Sequence, residues 1–227
     1  ISLLFFMMNA RGKKVAGRFY GVDYFNGGLF SEIIPLALNR SEARSLHDAA
    51  LNYDWSKIQP AIFGRLFEHS ATSKDRHVLG QHFTSEIDIL RIVQPVITHP
   101  WRERIDAAHT VDDLLALREG LLAYRVLDPA CGSGNFLNIA YREMKRLEAH
   151  LLSKLADAGN QPDDSRFVRT SQFYGLDIDE FAVELAKVTL SITKKLVVDE
   201  LGLAENVLPL DQLDDHIYQG DALFEPW

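Results

Sequence analysis

Arg125-Val126-Leu127-Asp128-Pro129-Ala130-Cys131-Gly132-Ser133-Gly134-Asn135-Phe136 opens with a short apolar run ending in an acid, passes through a turn of small residues, and enters a helical pattern. Such a passage reads as a strand, a tight loop and a helix start. Glycine lets the backbone take positive φ and lets a ligand approach without meeting a Cβ. The free N–H groups of a helix start, with its dipole, favour an acidic or polar ligand group. The stretch therefore predicts a cofactor cradle.

Three kinds of cradle compete for this spacing. A phosphate-binding Walker loop needs a lysine after its second glycine, and none is present; a dinucleotide fingerprint needs a third glycine where Leu137 stands. What remains is an acid before the loop with Gly-x-Gly inside it, which resembles the S-adenosylmethionine loop of class I methyltransferases. The string Asp128 to Phe136 resembles motif I of the DNA amino-methyltransferases, which modify adenine N6 or cytosine N4. That resemblance makes Asp128, Pro129, Ala130, Gly132, Ser133, Gly134, Asn135 and Phe136 cofactor-contacting residues. The alternative is an ordinary glycine-rich βα turn with no ligand.

With 227 residues, 47% of them hydrophobic, the chain has ample material for a core. Its net charge of −8 argues against this piece being the main phosphate-gripping surface of a nucleic-acid protein. Cys131 is the single cysteine, so no internal disulfide forms, which fits a reducing cytoplasm. Beside glycines it could be read as a nucleophile, but no histidine dyad is signalled, and a small apolar side chain packed under the loop explains it. The apolar run Ile1 to Met8 is far short of the roughly 18 residues needed to span a bilayer. The basic residues follow this run instead of preceding it, so it is no signal peptide. No initiator methionine is present, which suggests a piece of a longer protein.

Along the chain, residues 1–39 read as loop with short extended pieces. Ser41 predicts the cap of a helix over about 42–52 carrying Leu46 and Ala49. Ser56 with Gln59 predicts a second helix, with Pro60 in its first turn and Trp55, Ile62 and Phe63 as core. Residues 70–80 form an exposed basic loop. Thr84 or Ser85 caps a helix bearing Ile87, Ile89, Leu90, Ile92 and Val93, which Pro95 and Pro100 end. Thr110 and Asp113 make a capping box before a leucine-rich helix, and Tyr124 to Leu127 is a strand suited to burial on both faces. A long amphipathic helix follows over 138–157, with Ile139, Met144, Leu147, Leu151 and Leu155 inward and Gly159 near its end.

Phe173 to Asp177 is a second strand ending in an acid. A carboxylate there can accept both hydroxyls of a ribose. The distance from Asp128 exceeds the usual twenty or so residues of a dinucleotide fold, and the long helix and polar connection account for it. Asp177 is the ribose candidate, with Ile178 adjoining; Asp179 fits the role of cap for the next helix, 180–201, whose inward stripe is Phe181, Leu185, Val188, Ile192 and Leu196. Asp211, Asp214 and Asp215 form an acidic loop cluster without the ligand spacing of a known metal site, and no metal is expected. His216 to Gln219 is a third strand.

Asn52 to Glu68, Gly80 to Thr84, the Asp128 loop and Tyr174 to Asp179, with Asn26 to Phe30 also matching, together resemble the methyltransferase part of the MmeI-like restriction-modification enzymes, which are similar to type IIG enzymes. The resemblance implies an α/β fold: the Rossmann-like partial sheet of a class I S-adenosylmethionine-dependent methyltransferase, with an N-terminal helical region. Residues 1–105 are then the mainly helical region and 106–227 the first half of the cofactor-binding domain. It further implies that His82, Phe83 and Thr84 close over the methionine end of the cofactor. Asp221, with Ala222, would accept from the adenine amino group.

Nuclease and target recognition domains are expected in the same parent chain, with double-stranded DNA as its partner. Amino-methyltransferases also carry an Asn/Asp/Ser-Pro-Pro-Tyr/Phe motif that holds the target amine. No two prolines adjoin here, so that motif is expected beyond Trp227, and this chain alone is expected to be inactive. The reading is an S-adenosylmethionine-binding fragment of a DNA adenine-N6 methyltransferase. The alternatives are a non-catalytic nucleotide- or partner-binding module, and a methyltransferase acting on protein glutamine or a small molecule.

Overall fold

A computed structural model describes residues 37–53, Pro60, Ile62, 84–160, 166–205 and 213–225. The sequence readings of residues 1–36, of most of 54–83 and of Asp211 lie outside this set. Of the second expected helix, Pro60 is buried in a turn and Ile62 is 41% exposed.

Helix α1 (Arg40–Asn52) is capped by Asn39, not by the expected Ser41. A capping box needs an acid three residues after the cap. Glu42 stands in that relation to Asn39: the Asn39 side chain accepts from the Ser41 and Glu42 N–H groups, and Glu42 returns to the Asn39 N–H at 2.9 Å.

Helix α2 (Glu86–Val93) starts at Ser85, whose Oγ accepts from the Asp88 N–H. Pro95 and Pro100 do not end this segment, contrary to expectation. The chain passes through a π-helical turn, Gln94–Thr98, into helix α3 (His99–Ala107). Proline has no N–H to give, and the hydrogen bonding slips to a wider register in which the His99 N–H reaches the Gln94 carbonyl. The buried side chains Ile89, Val93, Ile97, Trp101 and Ile105 fall at every fourth residue. On a regular α-helix such a row would drift by about 40° per step; the wider turn offsets part of that drift and keeps the row on the core.

Helix α4 (Val111–Ala123) has the expected Thr110–Asp113 capping box and buries Leu114 and Leu121. Strand β1 (Val126–Asp128) leads into helix α5 (Asn135–Asp157). A short 3₁₀ turn, Thr170–Gln172, precedes strand β2 (Phe173–Asp177). Helix α6 (Glu180–Leu201) and strand β3 (Ile217–Gln219) follow. Among the described residues three strands pair in parallel in the order β1-β2-β3. Right-handed crossovers in one direction place both connecting helices on one face, and α5 packs on α6 and on β1 and β2. Ile139, Met144, Leu147, Leu151 and Leu155 are buried as expected, and Tyr141 meets Phe173 edge to face at 5.3 Å.

Two burial expectations are corrected. Among the described strands β1 lies at the edge of the sheet, and Leu127 is 48% exposed instead of buried. The inward face of α6 is formed by Ala182, Val183, Ala186, Thr189, Leu190, Thr193, Val197 and Val198, while Phe181 is 58% exposed. Small residues win this face because the glycine loop presses on it: a Cβ on Gly134 would stand 2.9 Å from the Ala186 Cβ.

Candidate functional site

Three loops meet at the carboxyl ends of the strands, where ligands of open α/β sheets bind. The first is the Asp128 to Gly134 turn. Its Cys131 N–H donates to the Leu176 carbonyl and the Gly134 N–H to the Cys131 carbonyl, each at 2.8 Å. Gly132 and Gly134 take φ of +50° and +81°, and Gly134 stands immediately before α5. These are the positions where the turn requires glycine.

The second loop follows β2. Both oxygens of Asp177 are in use: one accepts from the Gly132 N–H at 2.8 Å and the other from the Asp179 N–H at 3.0 Å. Asp177 thereby ties the glycine turn to the start of α6, which Asp179 caps through the Phe181 and Ala182 N–H groups. Each carboxylate oxygen keeps a second lone pair for a further donor. Ile178 is half-exposed beside it, its carbonyl held by the Gln219 side chain at 2.9 Å.

The third loop follows β3. The Gly220 N–H donates to the Asp177 carbonyl at 2.9 Å, and the Asp221 carboxylate accepts from the Leu223 N–H at 2.9 Å. Asp221 is exposed and Ala222 half-buried. The structure thus brings Asp128, Gly132, Gly134, Asp177, Ile178 and Asp221 to one end of the sheet.

The other expected site residues fall as follows. Pro129 and Ala130 are exposed on the turn, Ser133 is buried, and Asn135 and Phe136 are half-buried at the start of α5. Thr84 is half-buried just before the Ser85 cap, and the next residue but one, Glu86, pairs with Arg142 of α5, fixing that helix start to α5. His82 and Phe83 lie outside the described residues. Cys131 is 5% exposed, and burial pushes its thiol well above the ordinary range, so it is not an activated nucleophile. Instead it packs under the loop: a Cβ on Gly175 would stand 2.9 Å from its Sγ. Gly175 and Gln219 were not singled out from the sequence. An isolated glycine inside a strand was the available signal for the first; nothing local marks the second. Asp214 pairs with Lys187 at 2.6 Å, and the described residues hold no cluster of three potential metal ligands.

At this end of the sheet two side-chain oxygens are buried with no hydrogen-bond partner among the described residues: Asp128 Oδ2 and Asn135 Oδ1. Burial, and then the charge of Asp177, push the Asp128 carboxyl above its ordinary pKa, with the Ala130 N–H offsetting part of this. Buried acceptors without donors are costly. A ligand rich in N–H and O–H donors and carrying positive charge fits them.

Comparison with known proteins gives this geometry a family. A family profile described as "MmeI, DNA-methyltransferase domain" matches residues 104–227. The chain belongs to the MmeI DNA-methyltransferase family. DNA methyltransferase A of Bacillus subtilis is 32% identical over 180 residues, which is 78% of this chain and 20% of that protein. The solved structure of the type IIL restriction-modification enzyme MmeI in complex with DNA superimposes with a TM-score of 0.82 at 33% identity, covering 100% of this chain and 32% of that one. The MmeI-family chain therefore has the S-adenosylmethionine-dependent methyltransferase fold over its parallel sheet, and it spans about a fifth of the curated relative's length. Among the described residues no helix is long and apolar enough to cross a membrane.

Proposed function

We propose that this chain is the S-adenosylmethionine-binding half of a DNA adenine-N6 methyltransferase within a longer restriction-modification protein of the cytoplasm. The observation that carries the reading is the glycine turn flanked by Asp128 and Asn135, each of which has one buried oxygen with no donor among the described residues. When bound, the cofactor supplies an electrophilic methyl group on a sulfonium.

The chain's own residues position that group. Gly132 and Gly134 keep the floor of the cradle free of Cβ atoms, and Asp128 offers a buried carboxylate to a cation or hydrogen-bond donor. Asp177 accepts from ribose hydroxyls through the lone pairs left over from its two backbone bonds, with Ile178 beside it. Asp221 and Ala222 take the adenine edge. Thr84, with His82 and Phe83, closes the methionine end.

No residue of this chain is assigned to the target amine, since the sequence contains no adjacent prolines; double-stranded DNA, a nuclease and a target recognition domain belong to the parent. Calorimetry of the chain with S-adenosylmethionine, S-adenosylhomocysteine, NAD and ATP tests the cofactor class. The first two are expected to bind and the last two not; preferential binding of NAD or ATP would overturn the reading. Transfer of labelled methyl groups to adenine N6 in duplex DNA by the parent tests the reaction.

A further inference from the structure

The amino ends of the strands carry the opposite charge. A cavity of about 390 Å³ opens there between the end of α4 and the start of β2, lined among others by Arg125, Arg166, Arg169, Ser171, Gln172 and Tyr174. Among the described residues none that lines it is an acid, on a chain whose net charge is −8. Arg166 is committed to Glu119 through two parallel contacts of 2.7 and 2.6 Å. Arg125 and Arg169 are exposed and have no carboxylate partner among the described residues. Their neighbour Gln172 is buried and fully used: its amide donates to the Leu121 and Tyr124 carbonyls at 3.0 and 2.7 Å and accepts from the Arg169 N–H at 2.8 Å. That clamp fixes the backbone bearing Arg169 against the end of α4, two residues before Arg125. The backbone segments that carry Arg125 and Arg169 are thus held together at one wall of the cavity, which Ser171 also lines.

Guanidinium groups present forked donors matched to phosphate oxygens. We propose that this cavity is a phosphate-binding site, with Arg125 and Arg169 as the charged donors and Ser171 as a neutral one. It is separated from the glycine cradle by the length of β2, roughly 17 Å for five residues, and does not rest on the cofactor reading. The phosphate comes either from the backbone of duplex DNA or from a free nucleotide.

Titration of the full chain with inorganic pyrophosphate, followed by calorimetry, tests the site. One binding site is expected, weakened at least fivefold by Arg125→Ala and by Arg169→Ala, and weakened by Ser171→Glu through repulsion. Arg91→Ala, on an arginine paired with Asp88 far along the chain, leaves the affinity unchanged. Melting curves verify that the variants fold. A short DNA duplex that displaces pyrophosphate, with an affinity falling as salt rises, identifies the backbone as the source; displacement by ATP and not by duplex identifies a free nucleotide. No pyrophosphate binding by the folded chain, or binding unchanged in the Arg125→Ala/Arg169→Ala double variant, overturns the proposal.

Discussion

Two clusters of charge, one around Lys145 within helix α5 and one at the glycine turn that precedes the helix, are built differently. In the first, Lys145 is 0% exposed and contacts Glu148 at 2.5 Å and Glu205 at 2.7 Å. Lys194 approaches Glu205 at 3.6 Å, and the other Glu148 oxygen accepts from the Val168 N–H at 2.6 Å. Every charge there is met from within the chain. At the glycine turn, Asp128 and Asp177 face each other's charge with only backbone donors, and one Asp128 oxygen has no partner among the described residues. The first arrangement closes on itself and holds helices together; the second is incomplete, and a buried group left incomplete points to something that completes it.

The largest expected effect breaks the closed cluster. Lys145→Met leaves Glu148 buried without its cation and Glu205 with only the longer contact to Lys194, which costs about 3–5 kcal/mol, read as a fall in melting temperature. The Lys145→Met/Glu148→Gln double variant recovers part of it; a loss below about 1 kcal/mol would mean that water reaches these groups. Next in size is Gly134→Val. Its φ is +81°, and the new Cβ would meet Ala186 Cβ at 2.9 Å and its Cα at 3.0 Å. Strain and overpacking together amount to roughly 2–4 kcal/mol. Gly132→Val, at φ +50° with open space around its Cβ, costs less stability, about 1–2 kcal/mol, yet fills the cradle. Comparable destabilisation by the two substitutions would contradict the packing of the turn on α6.

What was legible in the sequence is what local chemistry decides. The Thr110 box, the bounds of β2 and the Asp179 cap depend on neighbours a few residues apart, which makes them legible. The glycine turn and the acid that ends β2 are legible for the same reason, whereas Asp221 after β3 is reached only through the family resemblance. The inward face of α6 was not, because large aliphatic residues signal burial only until a loop crowds the helix and small ones are needed. Lys145 reads as a solvated residue until Glu205, sixty positions away, is brought to it. The bond from Gly132 to Asp177 and the hold of Gln219 on Ile178 likewise join segments that only the sheet makes adjacent.

In the open cluster, Asp177→Ala removes the acceptor that joins the glycine turn to α6. It is expected to weaken S-adenosylmethionine binding at least tenfold, about 1.4 kcal/mol, by calorimetry. Unchanged affinity in a folded variant would remove Asp177 from the site.

The smallest and sharpest test concerns Asp128. Its folded pKa is raised by burial. It therefore contributes stability that is present below its unfolded pKa and lost as pH rises through the folded one. Removing the charge with Asp128→Asn should then leave the ligand-free protein no less stable at neutral pH. A cationic ligand reverses the balance, because it favours the ionised carboxylate. Cofactor affinity should accordingly fall as pH drops through the raised pKa of Asp128, and this dependence should vanish in Asp128→Asn. A variant that loses stability while keeping the pH dependence of binding would place Asp128 with the closed cluster, as a structural group, and leave the cradle without its charge.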